Sequence, residues 1–404
     1  MHNWDIHIYP SMVKRVFATV KPEILEWART SAGFTVEAAA AALKLDPAML
    51  ASWEMADGDR PSVPQLRNMA ALYKRPLAVF YLQEVPLRFQ VLSDLRRSIQ
   101  GMGLPYSPQL TQEIRSAQQR RELALELHSE LEEPVEPFPF RLGKEDPEQA
   151  GEAIRRFLGL QVEQLLSFGS DATGRLSFNT WRIALEHAGV LVFQSSRVPQ
   201  SEASGIALAY DVMPVVVVNR KDAPQRRLFS MLHEFAHVAL RESGVSDLKL
   251  DVAQVESPDI EMRCNAIAAA ALMPKEAVLA ELDAALAGRQ ELTDEVIVRV
   301  ARRFGVSRPA LLLRLVNQHR ATWDFYFEKI AQYTAEYEHE RAARAPARDM
   351  KRNMAQESLS DLGRPFVGLV LGNYFQHRIT LSDVAGYLGI RVKHVEALQR
   401  RFVG

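Results

Sequence analysis

Apolar residues recur every three to four positions through "QRRLFSMLHEFAHVAL", where Leu228, Met231, Leu232, Phe235 and Ala239 form one stripe. That spacing predicts a helix with a buried face. A second helix follows in "EMRCNAIAAAALMP", and pieces over 276–287 and 292–317 complete a helical cap. Upstream the period changes. After the helical "FNTWRIALEHAG" come "VLVFQSS", "GIALAYD" and "PVVVVNR", short β-rich runs bounded by Gly, Pro and Asp, which predict a small antiparallel sheet. Residues 22–82 break into shorter helical pieces. "PEILEWARTSAG" stops at Gly33, "TVEAAAAAL" opens on Thr35 as N-cap, and "LDPAMLASWE" places Pro47 in its first turn. "PQLRNMAALY" then aligns Leu66, Met69, Ala70 and Tyr73. Short helices with three- to five-residue turns predict a helix-turn-helix bundle.

The pattern divides the chain into four stretches: a helix-turn-helix bundle over 1–83, a helical connector over 84–165, a compact domain over 166–320 and a C-terminal helical module over 321–404. The connector is built on the charged helix "SPQLTQEIRSAQQRRELALELHSELEE", which "PVEPFPF" breaks. The last module ends in "TLSDVAGYLGIRVKHVEALQRRF", again helix, turn, helix. The expected class is α+β and mostly helical.

Composition narrows the function. A formal net charge of −1 over 404 residues argues against a uniformly basic coat for nucleic acid. No apolar run approaches the ~20 residues that span a bilayer, so no membrane partner is expected. The first residues lack the apolar core of a signal peptide, and one cysteine, Cys264, cannot make an internal disulfide. The expected compartment is the reducing cytoplasm.

The chemistry concentrates in "LHEFAHVAL". On a helix, His233 and His237 share a face one turn apart and can hold one ion together. Glu234 sits about 100° around the axis, placed to act on a water rather than as a ligand. Neutral imidazoles suit zinc, a zinc ion lowers its water's pKa towards ~7, and a carboxylate removes the proton. The other reading is a helix with two partly exposed histidines. A catalytic site needs a third protein ligand. Position 243 is Ser and position 240 is Leu, which excludes a third histidine in the metzincin spacing. The acidic candidates are Glu242, Asp247, Asp251, Glu256, Asp259 and Glu261. Glu261 is preferred because it opens a helix whose small residues, "AIAAAA", allow close approach to the first.

These segments, with "GIALAYDVMPVVVVNR" before them, resemble the ImmA/IrrE family of zinc metallopeptidases, and "TVEAAAAALKLDPAMLASWEMADGDRPSVPQLRNMAALYKRPLAVFYL" resembles the XRE-type helix-turn-helix domain often fused to it. The resemblance implies a zincin-like, gluzincin-type domain with one Zn2+ per chain. The family's second motif, E-x-E-A-N-x-F-A-A-x-L-L-M-P, supplies its third ligand from the first glutamate, which maps onto Glu261; Arg263, Cys264 and Ile267 depart from it. Family members are implied to cut a helix-turn-helix repressor, releasing genes for DNA-damage response, mobile elements or phage defence.

Three further expectations complete the picture. Cys264, three residues past Glu261, is either a small buried residue or a fourth ligand that keeps the enzyme latent. Between Thr35 and Arg60 five acids face two bases, so the first bundle is expected to dock protein or a second copy of the chain rather than DNA. The basic end, with Arg391, Lys393, Arg400 and Arg401 and the aromatic Tyr374, Phe375 and Phe402, is the candidate surface for single-stranded DNA as an activator. Its alternative is a solvated basic face. The competing functions are a DNA-binding regulator or antitoxin-like protein with a silent metallopeptidase fold, and a hydrolase of a small amide. Against the latter, the β-runs offer an exposed edge strand for an extended peptide. Tyr210 and Arg263 are conceivable oxyanion donors.

Overall fold

The computed structural model describes residues 17–85, 107–246, 258–289, 291–343 and 353–403. Two compact units emerge, one holding 17–85 with the start of the helix Pro108–Glu130 and the other running from Glu113 onward.

The first unit packs α1 (Pro22–Ser31), α2 (Val36–Leu43), α3 (Pro47–Trp53) and α4 (Val63–Tyr73) around Leu25, Leu50, Trp53, Leu66 and Tyr73. Its helix starts follow from capping. Thr35 accepts from Ala38 N–H, Asp46 from Ala48 N–H, and Ser62 and Gln65 form a capping box. Lys44 takes a left-handed φ of 57° to close α2, and α3 begins three residues on. Arg29 holds Glu54 through a bidentate pair at 2.7 and 2.8 Å and also donates to Phe34 O, the pair almost fully buried.

The second unit is built on four strands, β1 (Leu191–Ser195), β2 (Gly205–Leu208), β3 (Val215–Asn219) and β4 (Gly244–Ser246), in the order β1-β3-β2-β4. The expected antiparallel sheet is in fact mixed. β2 and β3 are consecutive and antiparallel, but β1 pairs with the far side of β3 and runs parallel to it. The expected exposed edge strand is corrected too. β2 and β3 are the inner strands, with every residue buried, because β4 covers β2 and β1 covers β3. Burial on both faces explains the uninterrupted "VVVV".

Val192, Ala207, Val216 and Val218 join the core shared with the helix Pro224–Leu240. Phe193, one position along β1, turns instead to Phe366 at 5.6 Å, edge to face. The C-terminal helices Met354–Leu362 and Arg364–Phe375 therefore dock at β1. Gln194 and Arg182 both donate to Ser360 O, and Arg220 pairs with Asp361 at 3.0 Å. The "PVEPFPF" segment, a breaker in the pattern, is a strap. Its Phe140 stacks between Phe157 and Phe235, and Leu142 N–H donates to Ala239 O at the end of the same buried helix.

Candidate metal centre

The helix Pro224–Leu240 begins with proline in its first turn and closes at Arg241, whose φ is 63°. The predicted stripe is buried, but so is the opposite side: Ser230, His233, Glu234 and His237 are each at most 3% exposed. The partly exposed histidines of the alternative reading are not what the fold contains. A second helix, Pro258–Leu272, lies against it and carries Glu261. Two buried arginines fix that helix by its C-terminal carbonyls: Arg155 donates to Ala270 O at 2.7 Å and Arg314 to Met273 O at 2.9 Å. The small-residue stretch is used against the helix Pro147–Leu158, where a Cβ on Gly151 would fall 2.6 Å from the Ala270 carbonyl carbon.

His233, His237 and Glu261 converge. The two Nε2 atoms lie 3.1 Å apart, and the carboxylate oxygens of Glu261 lie 3.1 Å from His233 and 3.2 Å from His237. One ligand atom from each falls within 4.8 Å of the others, a group able to hold a metal ion. Two imidazoles and a carboxylate are a donor set that suits zinc. Protonation suits it as well. Burial pushes His233 below its ordinary value, so its ring is neutral. Burial alone would raise Glu261, but the influence of His233 and His237 beside it outweighs burial and carries the carboxyl down to about 2. The other nitrogen of His233, Nδ1, meets Asn265 Oδ1 at 2.9 Å, which puts the proton on Nδ1 and frees Nε2. Nδ1 of His237 is buried without a hydrogen-bond partner among the described residues.

Glu234 sits outside this group. Its carboxylate is buried flat against β2, where a Cβ on Gly205 would fall 2.3 Å from Oε1 and 2.6 Å from Cγ. Only glycine at that strand position leaves room for it.

The remaining candidates are placed as follows. Glu242 and Asp259 are exposed, while Asp247, Asp251 and Glu256 lie outside the described residues. Cys264 is fully buried in the hydrophobic core and is not one of the grouped ligands; burial, with Glu261 and Glu234 nearby, raises its thiol well above the usual range. Arg263 donates to Gly143 O, and Tyr210 OH accepts from Gln118 while Arg121 lies over its ring at 3.8 Å. Arg391, Lys393, Arg400 and Arg401 are all exposed. Of these, Arg400 pairs with Glu396 at 3.3 Å and Arg401 donates to Gln356. Phe375 is open to solvent, but Phe402 packs on Gly368 beneath Arg364. The basic stretch 344–352 lies outside the described residues. No helix among the described residues is long and apolar enough to cross a membrane.

Sequence reasoning missed Asn265 and Gly205. Each left a signal: Asn265 stands one helical turn after Glu261, and Gly205 opens a run where a β-branched residue is the ordinary choice.

Residues 185–316 match the family model described as Peptidase_M78, IrrE N-terminal-like domain. The matched span, a third of the chain, includes the whole sheet and both helices of the centre. It supports the resemblance to the ImmA/IrrE family and a metallopeptidase-type function. No curated protein and no solved structure matches the chain.

Proposed function

We propose that the chain is a zinc-dependent endopeptidase in which His233, His237 and Glu261 hold the ion and Glu234 is the general base. The observation that carries this reading is the division of labour in the buried centre: three grouped donors, and a separate carboxylate lodged against the backbone of Gly205. When bound, the ion supplies Lewis acidity that polarises a peptide carbonyl and acidifies a water. The chain supplies the rest. Asn265 orients His233 through Nδ1, the Gly205 backbone sets the side chain of Glu234, and Glu234 takes a proton from the attacking water and delivers it to the departing amine. Burial of His233, Glu234 and His237 keeps bulk water from competing for these contacts.

The substrate in this reading is a helix-turn-helix repressor, whose cleavage derepresses a stress, mobile-element or phage-defence operon. The family resemblance supports it. The four-helix N-terminal unit is the candidate for docking that repressor: its α3 exposes Met49 and, just beyond, Met55, with no lysine or arginine between Asp46 and Gly58. The exposed Arg391, Lys393 and Arg400 are the candidate surface for single-stranded DNA as activator.

The test is cleavage of the helix-turn-helix repressor encoded nearest the gene, by wild type and Glu234→Gln, each with and without single-stranded DNA. Cleavage by wild type alone, with equal zinc content in both proteins, supports the assignment. Equal cleavage by Glu234→Gln removes Glu234 as the base, and no cleavage by zinc-loaded wild type removes the repressor as substrate.

A further inference from the structure

The second unit contains a cavity of about 830 Å³ that the metal centre does not use. Its size is that of a pocket for one small organic ligand. Three arginines line it: Arg226, Arg302 and Arg308. Arg308 is held over the Tyr333 ring at 3.8 Å by Glu336, and Arg226 lies 3.5 Å from Asp222. Arg302 is exposed, with no ion-pair partner among the described residues. Two helices of ten residues or more also start at the wall. The helix Arg308–Asn317 is capped by Ser307, and Pro224–Leu240 follows Ala223, which offers no side-chain cap. At the first, Ser307 already takes Ala310 N–H and Pro309 has none; at the second, the N–H groups of Gln225 and Arg226 lack intrahelical partners and, with the helix dipole, favour an anion.

Two carboxylates line the same cavity, and they say more about the ligand. Asp171 is already spent on the N–H groups of Thr173 and Leu176 and the Thr173 hydroxyl, which take its carboxyl down to about 2. Asp222 is different. Its side chain is 1% exposed, Oδ1 accepts from Gln200 at 2.7 Å, and Oδ2 has no hydrogen-bond partner among the described residues. Asp222 lines the cavity, and its buried Oδ2 still calls for a donor. Val298, Val306 and Ile330 make part of the wall apolar, beside the polar Gln200, Ser201, Gln225 and Thr334.

We propose that this cavity binds a phosphorylated nucleoside: the phosphate at the arginines, a ribose hydroxyl or base amino group on the Asp222 carboxylate, and the base against Val298, Val306 and Ile330. A bare anion leaves Asp222 and that wall unused, and a cation meets the arginines. The shared chemistry admits a free nucleotide or the 5′-phosphorylated end of a strand. Arg226 also reaches Ser204 at 3.4 Å, and the next residue, Gly205, is the one against Glu234. Coupling along that path rests on the function proposed above, whereas binding does not.

The experiment is calorimetric titration of the full chain, without added metal or peptide, using the four ribonucleoside 5′-monophosphates, the unphosphorylated nucleosides, inorganic phosphate and a short 5′-phosphorylated oligonucleotide. At least one monophosphate, or the oligonucleotide, is expected to bind at least tenfold more tightly than the nucleoside and inorganic phosphate, and Arg302→Glu is expected to weaken it at least tenfold. Asp222→Asn, a near-isosteric change, is expected to weaken the nucleotide more than inorganic phosphate. Absence of saturable binding by every phosphorylated probe overturns the proposal. So does inorganic phosphate binding as tightly as any nucleotide, or affinity unchanged in Arg302→Glu.

Discussion

Asn265→Ala isolates one bond at the centre. In the wild type, Nδ1 of the fully buried His233 meets Asn265 Oδ1 at 2.9 Å. The bond holds the proton on Nδ1 and leaves the lone pair of Nε2 pointing at His237 and Glu261. Removing the amide leaves a buried N–H without its acceptor, a loss of ~1–3 kcal/mol. The ring can relieve this by rotating or by moving its proton to Nε2, and either change spoils it as a ligand. Loss of such an outer partner typically weakens a metal site by ~10–100-fold. The assay is competition between the apo protein and a chelator for zinc at pH 7.5, with thermal melts to verify folding. Asn265→Ala should bind zinc ~10–100-fold more weakly. Asn265→Asp, which keeps an acceptor oxygen at similar reach and makes the imidazole more basic, should restore wild-type affinity or exceed it. A folded Asn265→Ala protein with wild-type zinc affinity would refute the reasoning.

Three other outcomes are expected. Gly205→Ala drives a methyl group to within 2.3 Å of Glu234 Oε1, so peptide cleavage should fall by ~100-fold or more while zinc stoichiometry stays at one. Asp361, partly buried between Arg220 and Glu357, has its carboxyl pushed up to about 6 by burial foremost; the native state then holds more protons than the unfolded chain between about pH 4 and 6, so stability from this group falls as pH rises through that window. Asp361→Asn should raise the melting temperature at pH 7.5 and flatten the melting-temperature profile over the same window. Glu54→Ala strands buried Arg29 and should lower the unfolding free energy of the N-terminal unit by ~3–5 kcal/mol, read by denaturant titration.

What the sequence disclosed tracks the range of the interactions involved. The helix starts at Thr35, Asp46 and Ser62 are local events within three residues, and Thr35 caps its helix as the pattern predicts. His233 and His237 were legible because helical geometry alone fixes their separation. The sheet was not. Its strands are recognisable one at a time, but the pairing of β1 with the far side of β3 depends on a crossover that no local pattern records. The packing of the strap was hidden for the same reason. "PVEPFPF" reads as a helix breaker, and only the stack of Phe140 between Phe157 and Phe235, residues 17 and 95 positions on, makes it part of the core. Cys264 shares a helix with Glu261, yet its direction depends on which neighbours that helix meets, and they place it in the apolar core.

The burial of the motif helix bears on whether the centre works or is a relic. Ser230, His233, Glu234 and His237 are all inside, where apolar residues of similar volume would cost less. A silent fold has no reason to keep them. Glu234 is the sharpest case, because a structural zinc site has its ligands and needs no further carboxylate. In the apo protein Glu234 shares its surroundings with ionised Glu261, and both act on the same thiol of Cys264. Glu234→Gln keeps the shape and removes a carboxyl group from a place where burial penalises its charged form. It should therefore stabilise the apo protein by on the order of 1 kcal/mol while abolishing cleavage, the trade expected where a residue is kept for chemistry. The measurement is a pair of denaturant titrations on metal-free wild type and variant. A variant less stable than wild type would mean that Glu234 serves the fold itself, and the silent-fold reading would then gain what the peptidase reading loses.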